Sequence, residues 1–321
     1  MRPDFDRFSP EFWASSAHLQ TIFASLKFRL KGRNEMEECA REALLDGTEG
    51  SRLLGFISRR EASKGLVLLI HGWEGSSAST YMLSTGRYLF RNGYDVLRLN
   101  LRDHGPSHHL NEGLFHGALT VETHNAVINA ASFAEGRPFF VVGFSLGANF
   151  ALRVAARHTE CPVPNLAHVF GISPALDPHQ ATVSIDRSIY RFYFLKKWKT
   201  SLRSKQRFFP GLYDFSEMLK MNSCMDITRA IMPLYSSFAD YLDYFSRYTL
   251  KKGLFADLRV PVTVIASADD PIIPVRDVLA LEGAPNMRLL VQEHGGHCGF
   301  LNPFPFGCWY ERLICANLDV Y

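Results

Sequence analysis

Six short apolar runs punctuate the chain: "GLVLLI" (65–70), "YDVLRLN" (94–100), "PFFVVGF" (138–144), "LAHVFGIS" (166–173), "VPVTVIAS" (260–267) and "MRLLVQE" (287–293). Each is bounded by turn residues. The apolar positions are continuous rather than alternating, the pattern of strands buried on both faces. Stretches of helical character separate the runs. "SSASTYMLSTGRYLFRNG" closes on Gly93, "TVETHNAVINAASFAEG" closes on Gly136, and "LGANFALRVAARH" starts directly after Ser145. This alternation predicts a mostly parallel central sheet flanked by helices and joined by right-handed crossovers.

The strand signal lapses between about Ala175 and Leu258. Aromatic and basic residues dominate there, as in "RSIYRFYFLKKWKTSLRSKQRFF". The stretch predicts a helical lid inserted over the strand ends. Upstream, "REALLDGTEGSRLLGFISRR" predicts two short strands around Asp46-Gly47. The expected organisation has four parts: an N-terminal segment with the first strands (1–64), a core (65–174), a helical cap or lid (175–258) and the C-terminal part of the core (259–321).

Composition narrows the function classes. With 321 residues and 47% hydrophobic content the chain can bury a large core. Its 35 Lys+Arg and 32 Asp+Glu leave a net charge of +3, which gives no support to a nucleic-acid partner. No apolar run approaches the roughly 18 residues of a membrane-spanning helix. The opening "MRPDFDRFSP" lacks the apolar stretch of a signal peptide. Six cysteines occur without a Cys-x-x-Cys pair, so free thiols in a reducing cytoplasm are expected.

The candidate chemistry sits where runs end. "VVGFSLGANF" is strand, Gly143-x-Ser145-x-Gly147, then helix. A sharp strand-to-helix turn puts Ser145 at a strained apex, and the glycines leave room for the turn. The Leu146 N–H, at the helix start, faces the same space and suits a developing oxyanion. A serine nucleophile needs a base, and the base needs an orienting acid. Two later runs end in "SADDPIIP" and "EHGGHCGF", giving the order Ser, Asp, His at carboxyl ends of strands. Asp270 is preferred over Asp269 because it lies deeper in the loop, next to Pro271. His297 is preferred over His294 because Gly295 and Gly296 let the loop bend back. The loop "HGWEGSS" offers the Trp73 N–H as a second oxyanion donor, with His71 pinning the loop. His71, Glu74 and His116 are candidate pocket residues. His104, His108, His109 and His116 lack a cysteine or a well-spaced carboxylate, so they read as polar loop and no metal or cofactor is expected.

These residues resemble the α/β-hydrolase fold, and within it the YheT-like hydrolases, the AB hydrolase 4 family. "HGWEGSSAST" with Tyr81 resembles that family's "HGxEGsxxSxY" segment. "FSPEFWASSAHLQTIFASL" resembles its N-terminal segment, with a His-x-Gln-Thr core at His18, Gln20 and Thr21. "FHGALT" resembles its "yHaGxT" loop, and "GGHCGF" its "GGHxGF". The resemblance spans nearly the whole chain and places the catalytic triad on Ser145, Asp270 and His297. It implies carboxylesterase chemistry on a small-molecule ester, with a lipophilic short- to medium-chain acyl group. An acyltransferase or thioesterase on the same triad is the alternative, and a non-catalytic binding scaffold is a third reading. One departure stands out. The family's Asn-x-Arg-Gly reads here Asn100-Leu101-Arg102-Asp103-His104-Gly105, and the extra Asp-His is expected to reshape one pocket wall. The basic, aromatic segment 187–209 is a lid helix with its aromatics inward, and a site of peripheral contact with anionic lipid when the lid opens.

Overall fold

The computed structural model describes residues 7–11, 14–302 and 307–321. Phe12 and Trp13 of the N-terminal motif, and the opening residues of the chain, lie outside them. Eight strands form one sheet: β1 (Arg41–Asp46), β2 (Arg52–Ser58), β3 (Leu66–Ile70), β4 (Asp95–Leu99), β5 (Phe139–Phe144), β6 (Leu166–Ile172), β7 (Val262–Ser267) and β8 (Met287–Gln292). Their spatial order is β1-β2-β4-β3-β5-β6-β7-β8. Strands β4 to β8, with β3, run parallel, and the β1–β2 hairpin joins β4 antiparallel. All six apolar runs read from the sequence are strands of this sheet.

The helices in chain order are α1 (Ala17–Ala24), α2 (Glu35–Glu38), α3 (Thr80–Arg91), α4 (Thr120–Ser132), α5 (Leu146–Arg157), α6 (Pro178–Asp186), α7 (Tyr190–Phe208), α8 (Cys224–Tyr235), α9 (Tyr241–Ser246), α10 (Val275–Leu279) and α11 (Trp309–Leu318). The continuous apolar character of the strands has a direct cause. Leu66, Leu68 and Ile70 of β3 pack with Val127 of α4 and Phe150 of α5. The alternate residues Val67 and Leu69 pack with Met82 of α3 and Ile314 of α11. Both faces are covered, so apolar side chains dominate both, and buried exceptions such as Asp95 and Arg98 of β4 are hydrogen-bonded.

Helices α6 to α9 fall between β6 and β7. Asp177 caps α6 by accepting from the Gln180 N–H, and Ser223 caps α8 by accepting from the Asp226 N–H. A buried ion pair ties α7 down: Lys205 Nζ donates to Asp103 Oδ1 at 2.9 Å, and to the carbonyls of Asn111 and Gly113. Asn149 of α5 donates to the carbonyls of Ala175 and Tyr248, joining the inserted helices to the sheet. Among the described residues no helix is long and apolar enough to cross a membrane.

Candidate active site

Parallel strands deliver their following loops to one edge of the sheet. Strand β3 leads to His71-Gly72-Trp73, β4 to Asn100–Gly105, β5 to Ser145, β7 to Asp270 and β8 to His297. Ser145 has φ 53° and ψ −115°, a conformation L-residues rarely take. The turn is possible because its neighbours lack side chains. A Cβ at Gly143 would meet the Gly147 carbonyl, and one at Gly147 would meet the carbonyls of Ile70 and His71.

The structure brings Ser145, His297 and Asp270 together. Ser145 Oγ lies 2.9 Å from His297 Nε2, and His297 Nδ1 lies 2.9 Å from Asp270 Oδ2. Asp270 Oδ1 accepts from the N–H groups of Ile272 and Ile273, which fixes the carboxylate's orientation. Asp269 points elsewhere: its Oδ1 accepts from the Gly296 N–H, and its Oδ2 lies 3.5 Å from His294 Nδ1. Asp269 and His294 therefore shape the loop from outside. Burial works against the charged form of His297, but the Asp270 carboxylate outweighs it and holds the imidazole pKa well above its ordinary value.

That shift carries a sign. Were His297 to serve as a general base, it would have to be deprotonated to act, and its raised pKa would move the ascending limb of a kcat/KM profile to higher pH. The limb is expected alkaline of about pH 6.5, the value of an ordinary histidine. Asp270→Asn should pull it back toward acid while lowering the rate. A wild-type limb at or below the ordinary value would remove the Asp270 effect.

Residues far upstream hold the histidine loop. Thr21 Oγ1 accepts from the His297 N–H at 2.9 Å, and Gln20 Oε1 accepts from the Leu301 N–H at 2.7 Å. Gly296 has φ 55°, and a Cβ there would strike the Thr21 hydroxyl. Sequence reasoning marked Gln20 and Thr21 as motif residues but not as partners of this loop. The co-occurrence of the two motifs was the available signal.

The loop after β3 is fixed on both sides of Trp73. The Gly72 N–H donates to Tyr81 Oη at 3.0 Å, and the Glu74 N–H donates to His104 Nε2 at 3.2 Å. A Cβ at Gly72 would lie 3.1 Å from Ser145 Cβ, so the loop passes directly beside the serine. Leu146 opens α5, so its N–H has no partner within the helix.

A cleft of about 730 Å³, counting its open mouth, starts at Ser145. Trp73, Leu146 and Ile272 wall it near the serine, and Ile185, Phe194 and Met232 wall it from the inserted helices. Its lining is dominated by apolar side chains, as suits a hydrocarbon chain. The three candidate pocket residues do not line it. His71 is fully buried behind the loop: Nδ1 donates to the Gly72 carbonyl, Nε2 accepts from the Leu101 N–H, and burial lowers its pKa to about 4. Glu74 faces a separate polar groove with Lys197 and His104, where burial pushes its pKa up to about 8. His116 stands edge-on against Phe238 and Tyr244, behind the wall, and burial lowers its pKa to about 4. Asp103 and His104 do not line the cleft themselves, but both hold Phe115 of its wall: Asp103 Oδ2 accepts from the Phe115 N–H, and the His104 ring stands edge-on against the Phe115 ring. They sit in the polar groove outside it.

The chain belongs to the alpha/beta hydrolase fold family, which matches residues 65–303. Its relatives carry esterase and phospholipase names and are in keeping with the YheT-like grouping. Phospholipase ABHD3 of Mus musculus is 21% identical over 98% of this chain and 76% of its own length. YheT of Escherichia coli, a presumed esterase by its name, is 22% identical over 80% of this chain and 77% of its own. Among solved structures, the Pyrococcus furiosus esterase Pf2001 superposes with a TM-score of 0.60 at 17% identity, covering 88% of this chain and 90% of its own. A bacterial membrane phospholipase A superposes with a TM-score of 0.59 at 16% identity, covering 89% of this chain and 88% of its own.

Proposed function

We propose that the protein is a serine carboxylesterase acting on small-molecule esters of lipophilic, short- to medium-chain acyl groups. One observation carries the reading: a serine at φ 53° is hydrogen-bonded through His297 to Asp270 and opens into an apolar cleft. His297 Nε2 takes the proton as Ser145 Oγ attacks the carbonyl carbon. The N–H groups of Trp73 and Leu146 hold the oxyanion. His297 then returns the proton to the departing alkoxide, leaving an acyl-serine. A water molecule, deprotonated by the same imidazole, releases the acid. The segment 175–258 acts as a cap that encloses the acyl chain. A phospholipase among the relatives and a membrane phospholipase among the fold neighbours support a lipid-like ester.

The test is a series of p-nitrophenyl esters from acetate to laurate, beside fluorophosphonate labelling. Turnover rising with chain length and then falling as the cleft fills is the expected profile. A folded protein that neither labels nor hydrolyses any member is a binding scaffold instead. Product partitioning with added alcohol separates hydrolysis from acyl transfer.

The outer face of α7 supports contact with an anionic lipid surface. Ile189, directly before the helix, and Phe192 are 63% and 68% exposed, and Lys196 and Lys199 follow along α7. Sedimentation with phosphatidylglycerol vesicles at low salt should pull down the wild type, and Phe192→Asp should stay in the supernatant. Equal recovery of both would remove the membrane contact.

A further inference from the structure

The extra Asp-His after β4 has a geometry that its place in the sequence does not suggest. We propose that His104 is a positioning residue: it holds the Trp73 N–H beside Ser145 by bracing the oxyanion loop from behind, while its neighbour Asp103 fixes helix α7 over the same loop. The proposal rests on the serine-esterase reading above and deepens it.

Two imidazoles interlock two loops in opposite directions. His71, from the loop after β3, accepts from the Leu101 N–H of the loop after β4 at 3.1 Å. His104, from the loop after β4, accepts from the Glu74 N–H of the loop after β3 at 3.2 Å. Each ring donates its Nδ1–H to a nearby carbonyl, Gly72 for His71 and Arg102 for His104, which leaves each Nε2 free to accept. The rings touch, with centroids 4.8 Å apart. Both are buried, and burial holds both pKa values far below the ordinary one, so neither carries the charge that would turn Nε2 into a donor. Trp73 lies between the two braced positions. Glu74, directly after it, has φ 55°, a conformation that needs an outside restraint in a residue with a side chain. The His104 bond to its N–H supplies one.

Asp103 extends the brace to the inserted helices. Its Oδ1 accepts from Lys205 Nζ of α7, its Oδ2 accepts from the Phe115 N–H, and its carbonyl accepts from the Ser201 hydroxyl. Helix α7 in turn lays Phe194 flat on the Trp73 indole, with centroids 5.2 Å apart and planes at 11°. The Trp73 backbone is thus held through His104, and its side chain through α7.

Two variants separate positioning from bulk. His104→Phe keeps a ring but removes the acceptor, and His104→Gln keeps an acceptor near the position of Nε2. An amide displaced from an oxyanion loses transition-state stabilisation, not substrate affinity, so kcat on p-nitrophenyl butyrate should fall by roughly 10- to 100-fold in His104→Phe with KM within about twofold. His104→Gln should recover most of the loss. Amide exchange over residues 71–76 reads the brace without reference to catalysis. The Glu74 amide should be protected in the wild type and in His104→Gln, and exposed in His104→Phe. An unchanged kcat in folded His104→Phe overturns the proposal, as does equal loss in both variants with KM rising. Fast Glu74 exchange in the wild type overturns it with no variant at all. A protected Glu74 amide in a protein that hydrolyses no ester leaves the brace standing and removes the esterase reading.

Discussion

Ser145→Ala should abolish fluorophosphonate labelling and lower kcat on p-nitrophenyl esters by roughly 10⁴- to 10⁶-fold, with folding retained. The size follows from how the site is built. Removing Oγ takes away the attacking atom, so His297 and Asp270 have no proton to move and no acyl-serine forms. The amides of Trp73 and Leu146 remain and sustain the residual rate by stabilising direct attack of water. Folding should survive because Ser145 keeps its backbone: its N–H donates to the Ile172 carbonyl and its own carbonyl accepts from the Asn149 N–H. Alanine removes only a hydroxyl, although the positive φ remains a strain for it. The comparison is made on the same preparation, with circular dichroism beside the kinetics. A variant that still labels, or that keeps more than about a hundredth of the wild-type kcat, would place the nucleophile elsewhere.

The second large effect is on stability. Lys205→Met should lower the unfolding free energy by about 3–5 kcal/mol, because removing one partner of a buried pair leaves the other without compensation. Lys205 and Asp103 are both almost wholly out of solvent. Burial pushes each toward its neutral form: it raises the Asp103 pKa to about 6 despite the neighbouring ammonium, and lowers that of Lys205. Without the lysine the carboxylate must stay unpaired or take up a proton, so its native pKa climbs further. The native state then binds a proton that the unfolded state, titrating near 3.8, releases. Stability of the variant must therefore fall as pH rises through that window. Urea unfolding at about pH 5 and about pH 8 should show the smaller deficit at the acid value. A deficit independent of pH would mean that the loss lies in packing against Phe209 and Tyr213, whose rings face the ammonium.

The sheet was legible because its strands are buried on both faces. Six continuous apolar runs allow little else, and the glycine-flanked serine between a strand and a helix marks a turn that few other sequences need. The meeting of Ser145, Asp270 and His297 follows from strand order, since parallel strands end on one edge. Side-chain direction was not legible. His71 and Glu74 adjoin Trp73 in sequence, yet one turns inward behind the loop and the other outward into a polar groove. The roles of Thr21 and His104 were hidden for a different reason. Both act on the backbone of a distant residue, and a peptide N–H leaves no trace in the identity of the residue that carries it. The ion pair of Asp103 with Lys205 crosses 102 positions and looks, in the sequence, like two ordinary surface charges.

The bond from the His297 amide to Thr21 spans 276 of the 321 positions. On the ribosome, helix α1 emerges long before the loop it will hold has been translated. Until that loop arrives, the Thr21 hydroxyl and the Gln20 amide can make only their local bonds, to the carbonyls of Ala17 and Ala14. Ser145 is translated well before His297, so its hydrogen-bond partner arrives only later. Helix α1 and the loop after β8 are therefore locked together only once both have been made, through the hydrogen bond from the His297 amide to Thr21.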